Sequence, residues 1–212
     1  MFNSFKEASD YVGGLSSPSK MPCYSYSIPA WECKVGSKLR EIPNSVCSTC
    51  YARKGRYVFQ NVKDAQYRRF GTLNNEKWVE SFVYMITEKA MTYFRWHDAG
   101  DLQSVQHLAN IVEVAKRCPN CKFWLPTREI EIVDEYLSTN FEVPSNLTIR
   151  VSATMIDGKA PTQFIEKWNL VGSHVTTDES KVNCHSFKNE GKCGDCRACW
   201  DKTVADIFYK KH

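Results

Sequence analysis

Apolar residues recur at three- and four-residue steps through residues 58–73 and 76–90. In the second stretch Trp78, Phe82, Met85 and Ile86 fall on one face. That period is helical, and Asn74 or Asn75 stands where a cap for the second helix is expected. Beyond residue 90 the pattern changes to short aromatic and β-branched runs alternating with amphipathic ones. Residues 92–96, 122–125, 147–152 and 173–177 predict strands. Residues 104–116, with Val105, Leu108, Ile111, Val112 and Ala115 inward, predict a helix, as do 130–137 and 162–168. Such alternation implies parallel strands with helices packed outside and right-handed crossovers. Four units are too few for an eight-fold barrel. The pattern therefore predicts an α/β fold, a partial or small (β/α) TIM-like barrel.

The two ends read differently. Residues 11–44 are rich in Gly, Ser and Pro, which predicts irregular chain draped over the core. A length of 212 residues suits one domain. It divides into an irregular cysteine-containing segment (1–57), the α/β core (58–180) and a cysteine-cluster segment (181–212). The formal charge of +4 permits contact with nucleic acid without arguing for it. Residues 1–6 carry no basic stretch leading into an apolar core, and no run is long and apolar enough to span a bilayer. The expectation is a cytoplasmic protein without a membrane partner. In that compartment thiols stay reduced and grouped cysteines signal metal.

The chain has ten cysteines. Cys193, Cys196 and Cys199 are spaced C-x2-C-x2-C, and Cys184 lies nine positions before Cys193. Thiolates are soft ligands, and two-residue gaps bring several sulfurs round one face of a 4Fe-4S cluster. Gly191 and Gly194 allow the tight bends of such a wrap. Zinc is the alternative metal, although it usually takes two separated knuckles. A second set is Cys33 with Cys47 and Cys50. The seven residues suit one cluster from the C-terminal four, two clusters with one iron left open, or a mixed site joining the chain's ends. Cys118 and Cys121, in Cys-Pro-Asn-Cys, read as a turn with two incidental thiols.

Ligands of parallel α/β sheets bind at the carboxyl ends of strands. Arg95, His97, Asp98 and Asp101 stand at one such end, and Arg128 at the next. Strand alternation puts Arg95 and His97 on one side. Arg95, Arg128 and Arg150 suit an anion, and Asp98 and Asp101 a ribose or ammonium group, as a small-molecule or nucleotide pocket requires. The structural alternatives are an Asp101 helix cap, an Arg95–Asp98 ion pair and a core His97. Arg53, Lys54, Arg56, Lys63, Arg68 and Arg69 run among Tyr51, Tyr57 and Tyr67, which suits nucleic acid or a solvated helix face.

The blocks from Ser19 to Pro22, Tyr26 to Ala30 and Val46 to Tyr57, with Arg95-Trp96-His97-Asp98-Ala99-Gly100-Asp101 and Cys193 to Trp200, resemble a phage-encoded family named after gene product 88. The resemblance implies a partial TIM-like barrel with an iron–sulfur cluster, related to radical S-adenosylmethionine proteins. S-adenosylmethionine is then the implied organic cofactor, and redox or radical chemistry in the host cytoplasm the implied activity. The chain departs from the radical-enzyme pattern because no C-x3-C-x2-C triplet is present. Two other functions stay open: a metal-stapled protein, with iron–sulfur or zinc, that binds nucleic acid or a host protein, and simple electron transfer. Nothing in the sequence fixes an oligomeric state.

Overall fold

The computed structural model describes residues 2–140 and 142–211. Six strands form one parallel sheet in the order of the sequence: β1 (Tyr24–Tyr26), β2 (Tyr93–Trp96), β3 (Lys122–Thr127), β4 (Leu147–Ser152), β5 (Val171–Thr176) and β6 (Asp206–Lys210). Each strand pairs with the next, so β1 and β6 are the edges. Helices α1 (Phe5–Tyr11), α2 (Lys34–Arg40), α3 (Gln60–Gly71), α4 (Trp78–Glu88), α5 (Val105–Arg117), α6 (Ile130–Asn140) and α7 (Thr162–Trp168) lie between or before the strands.

Burial explains the two sheet faces. Phe94, Trp96, Phe123, Leu125, Leu147 and Ile149 join Phe82, Leu108, Ile111, Val112, Val133 and Leu137 in one apolar core. Helices α4, α5 and α6 lie side by side over it. Trp96 stacks on Trp78 (5.5 Å) and Phe123 (6.2 Å). The register puts Ser25, Arg95, Trp124 and Thr148 in a row on the other face, with Arg150 and Val171 in the next. That face is polar, and the C-terminal segment covers part of it. Trp200 inserts between Tyr93 and Trp124, and its Nε1 donates to the Phe94 carbonyl (2.8 Å). Buried Arg150 donates to the carbonyls of Cys199, Gly172, Ala198 and Asp201. A guanidinium with five donors suits this clamp.

The expected alternation holds, with four differences. Strands β1 and β6 and helices α1 and α2 were not expected. The helices predicted at 58–73 and 76–90 are shorter, at Gln60–Gly71 and Trp78–Glu88. Lys77, not Asn74 or Asn75, precedes α4 as its cap residue and gives no side-chain bond; Asn75 Nδ2 donates to the Tyr11 carbonyl instead. Ser104 does cap α5, accepting from the His107 N–H (3.0 Å). No helix among the described residues is long and apolar enough to cross a membrane.

Candidate functional site

Three thiols gather on the turns that follow β1. Cys33 precedes α2, whose Val35 N–H donates to the buried carboxylate of Glu129 beyond β3 (2.8 Å). Ser45 accepts from the Ser48 N–H (2.9 Å), shaping the 3-10 turn that carries Cys47, and the Val46 N–H donates to the Thr154 carbonyl past β4. Cys50 closes that turn by donating to the Cys47 carbonyl (3.2 Å), so the two-residue gap brings both cysteines round one bend. Ala30, Ala52 and Ala99 pack beneath, against Cys33, Cys50 and Tyr57. Such small side chains let three loops stack closely. A Cβ at Gly36 would stand 3.6 Å from Cys47 Sγ and 3.7 Å from Cys33 Sγ. Glycine there leaves room between two sulfurs.

Burial pushes the Cys33 thiol up, with Asp101, Cys50 and Cys47 adding to the shift. Burial also raises Cys47, while the Arg128 guanidinium pulls it down. Such thiols stay protonated until a cation displaces the proton. Asp101 accepts from Thr127 Oγ1 (2.6 Å), the Arg128 N–H (2.9 Å) and the Leu102 N–H (2.8 Å). It therefore ties two strand ends together, and Ser104 does the helix capping. Burial raises its carboxyl against these bonds. Arg128 Nε donates to the Ala153 carbonyl (3.1 Å).

Next to Cys50 begins a polar network. Arg95 lies over the Trp124 ring (4.2 Å) and donates to Tyr51 OH (3.3 Å) and Met21 Sδ (3.1 Å). Tyr51 OH donates to the Asp98 carbonyl (2.6 Å), and the Asp98 carboxylate accepts from Ser25 Oγ (2.5 Å) and Tyr57 OH (3.1 Å). Among the described residues the buried Nε of Arg95 has no partner. Burial and the Asp98 charge raise the Tyr57 phenol, so it serves as a donor.

The candidate residues thus divide. Arg95 and Asp98 share the network through Tyr51, and Asp101 and Arg128 adjoin the thiols. His97 departs from the expected alternation. Its φ of 55° ends β2, and its ring packs against His107 on α5 at 5.2 Å. Burial holds His97 well below the usual imidazole range and His107 down to about 3. Both rings are buried, and among the described residues none of their nitrogens has a partner. The three arginines do not converge, because Arg150 is engaged with four carbonyls. In the basic stretch Arg69 is buried, and Arg53 and Lys63 lie over the Trp31 ring. Cys118 and Cys121 form the expected turn of buried thiols, tied by Asn146 Nδ2 to both carbonyls.

A second thiol group lies across the sheet's open seam. Cys199 Sγ lies 3.2 Å from Tyr209 OH, and the Cys184 N–H donates to the Phe208 carbonyl on β6. The Cys193 N–H donates to the Lys20 carbonyl, just before Cys23. Cys196 is exposed, whereas its neighbours are partly buried. Cys23, to which the sequence assigns no ligand role, stands three residues beyond Lys20 on the chain that Cys193 contacts.

Fold and site define a class: an α/β protein with one parallel sheet and two groups of free thiols at its loops and seam. All ten cysteines are free. The chain belongs to the gene product 88 family, whose model matches residues 4–202. No curated protein and no solved structure matches it. The family description names no activity, and these comparisons do not link the chain to radical S-adenosylmethionine proteins.

Proposed function

We propose that this is a phage iron–sulfur protein of the host cytoplasm, built on a partial (β/α) barrel. Cys33, Cys47 and Cys50 hold a 4Fe-4S cluster beside a polar network for a small polar ligand, in the service of redox chemistry. The observation that carries this reading is that Cys33 and Cys47, from separate turns, flank the space at Gly36, with Cys50 on the same bend as Cys47. Sequential parallel order with right-handed crossovers curls a sheet toward a barrel, whose ligands sit at the carboxyl ends of strands.

The donor set fits a cluster. Among the described residues no three His, Cys, Asp or Glu side chains surround a point where one metal ion would sit. A zinc ion draws its thiolates to about 2.3 Å. A cluster is several atoms across, and its thiolates stand further apart. When bound it would supply one-electron chemistry. Three thiolates leave a fourth iron open to that network. Arg95 offers a cation with a spare Nε–H, Tyr51 and Tyr57 offer ring faces, and Asp98 accepts hydrogen bonds. An amino acid or nucleoside carrying both charges matches these groups, and S-adenosylmethionine is the first compound to try.

Anaerobic purification with iron, sulfide and zinc counts tests the reading. EPR spectra before and after dithionite, with and without S-adenosylmethionine, complete it. Iron and sulfide that fall in a Cys33→Ser/Cys47→Ser/Cys50→Ser variant support the site, and a ligand-sensitive signal supports the open iron. Zinc alone, or iron unaffected by the three substitutions, would sink it.

A further inference from the structure

We infer that Cys23, with Cys184, Cys193 and Cys199, forms a second iron–sulfur site that closes the seam between β1 and β6. The inference deepens the iron–sulfur reading but uses none of the three thiols that carry it.

The seam has a defined geometry. The outer edge of β6 is taken by Asn183 and Cys184. Asn183 Oδ1 accepts from the Phe208 N–H (2.8 Å), its Nδ2 donates to the Asp206 carbonyl (2.9 Å), and the Cys184 N–H donates to the Phe208 carbonyl (3.2 Å). From there the chain turns through residues 185–192 to Cys193, whose N–H donates to the Lys20 carbonyl (3.0 Å). Lys20 leads through Cys23 into β1. The segment from Cys184 to Cys193 therefore spans from one sheet edge to the chain entering the other.

The backbone contacts gather these cysteines. The Cys193 N–H bond to Lys20 sets Cys193 beside the chain that reaches Cys23 three residues later, and the Cys184 N–H and the Cys199 Sγ contact adjacent residues of β6, Phe208 and Tyr209. Arg95 donates to Met21 Sδ (3.1 Å), two residues before Cys23, and Arg197 stands between Cys196 and Cys199. Cations beside grouped sulfurs suit the negative charge of a thiolate-bound cluster. Cys199 is fixed by its backbone, because Arg150 holds the Cys199 carbonyl (3.0 Å). Cys196 belongs to the sequence triplet but is exposed. Four partly buried thiols satisfy a four-ligand cluster, and Cys196 is then dispensable. Each thiol releases its proton to solvent as its sulfur binds iron.

The test uses the full chain carrying Cys33→Ser, Cys47→Ser and Cys50→Ser, so that remaining metal reports the second site alone. This protein is expected to keep iron and sulfide after anaerobic reconstitution. Adding Cys23→Ser should weaken retention at least about tenfold, the loss that even outer-shell partners of a metal can cause. Adding Cys196→Ser should leave it unchanged. Absence of iron in the triple variant, zinc in its place, or equal retention with and without Cys23 would overturn the inference. Because a serine variant can fail to fold, alkylation of the unsubstituted loaded protein gives an independent reading by mass spectrometry. Cys23 should resist labelling until a chelator removes the metal; labelling of Cys23 before chelation overturns the inference. Failure of the first site shows separately, as a triple variant with as much iron as the unsubstituted chain.

Discussion

Gly36 and His107 show how single residues set the chemistry. Alanine at position 36 would favour helix α2 by up to about 1 kcal/mol. Its Cβ would stand 3.0 Å from Cys33 Cβ and between two sulfurs. Gly36→Ala should therefore lower iron per chain while the metal-free protein keeps its far-UV circular dichroism; unchanged iron would remove Gly36 from the site. His107 carries a pH dependence. Its folded value of about 3 lies below the unfolded value of about 6.5, so the unfolded chain binds the proton more readily. His97 is shifted in the same direction. The stability that a neutral His107 preserves is complete above about pH 6.5 and is lost as pH falls toward 3, and His97 adds to the loss in the same direction. Each contributes a slope of up to about 1.4 kcal/mol per pH unit. Urea titrations from pH 7 to 4 should show a shallower decline in His107→Leu than in the unsubstituted protein.

At the scale of elements, what could be read from sequence depended on burial. Strand β4 is buried at every position, and its run of branched and polar residues predicts it to the residue. Strand β1 is three residues long within a Gly-, Ser- and Pro-rich stretch, and no period is visible over three residues. Strand β6 has one fully buried side chain, Ile207, and follows the irregular cysteine segment. Strand β3 runs past the expected end at Leu125 through Pro126. Lys122 donates to the Thr92 carbonyl and Phe123 to Asn146, so alternate residues face β2 and β4. Pro126 would next face β2, which the left-handed His97 has just ended. The missing N–H is tolerated there. The same left-handed residue defeated the expectation that His97 shares a face with Arg95. The cysteine spacing marks two sets of thiols in the sequence, whereas the approach of Cys193 to the chain before Cys23 rests on its N–H bond to Lys20, which no spacing shows. Arg150, expected at a ligand, instead anchors the segment carrying the second group. Arg150→Met should cost at least about 3 kcal/mol, because several buried carbonyls lose a charged donor. Amides of residues 198–201 should also exchange hydrogen faster, and unchanged protection would contradict this anchoring role.

At the scale of the molecule, the sheet's sequential order leaves a single seam, and residues 183–199 lie across it. Removing residues 183–212 should expose the polar face and the β5 edge together. The shortened chain should bind an apolar dye and elute as aggregate on gel filtration, whereas a monomeric, dye-free fragment would mean that the seam closes without this segment. The order of the elements also bears on synthesis. Every other strand leaves the ribosome before β6, so β5 waits as an unpaired edge until the cysteine segment and β6 emerge. Unpaired edges invite association between chains. The nascent protein is thus open to association in the interval between the release of β5 and the arrival of β6.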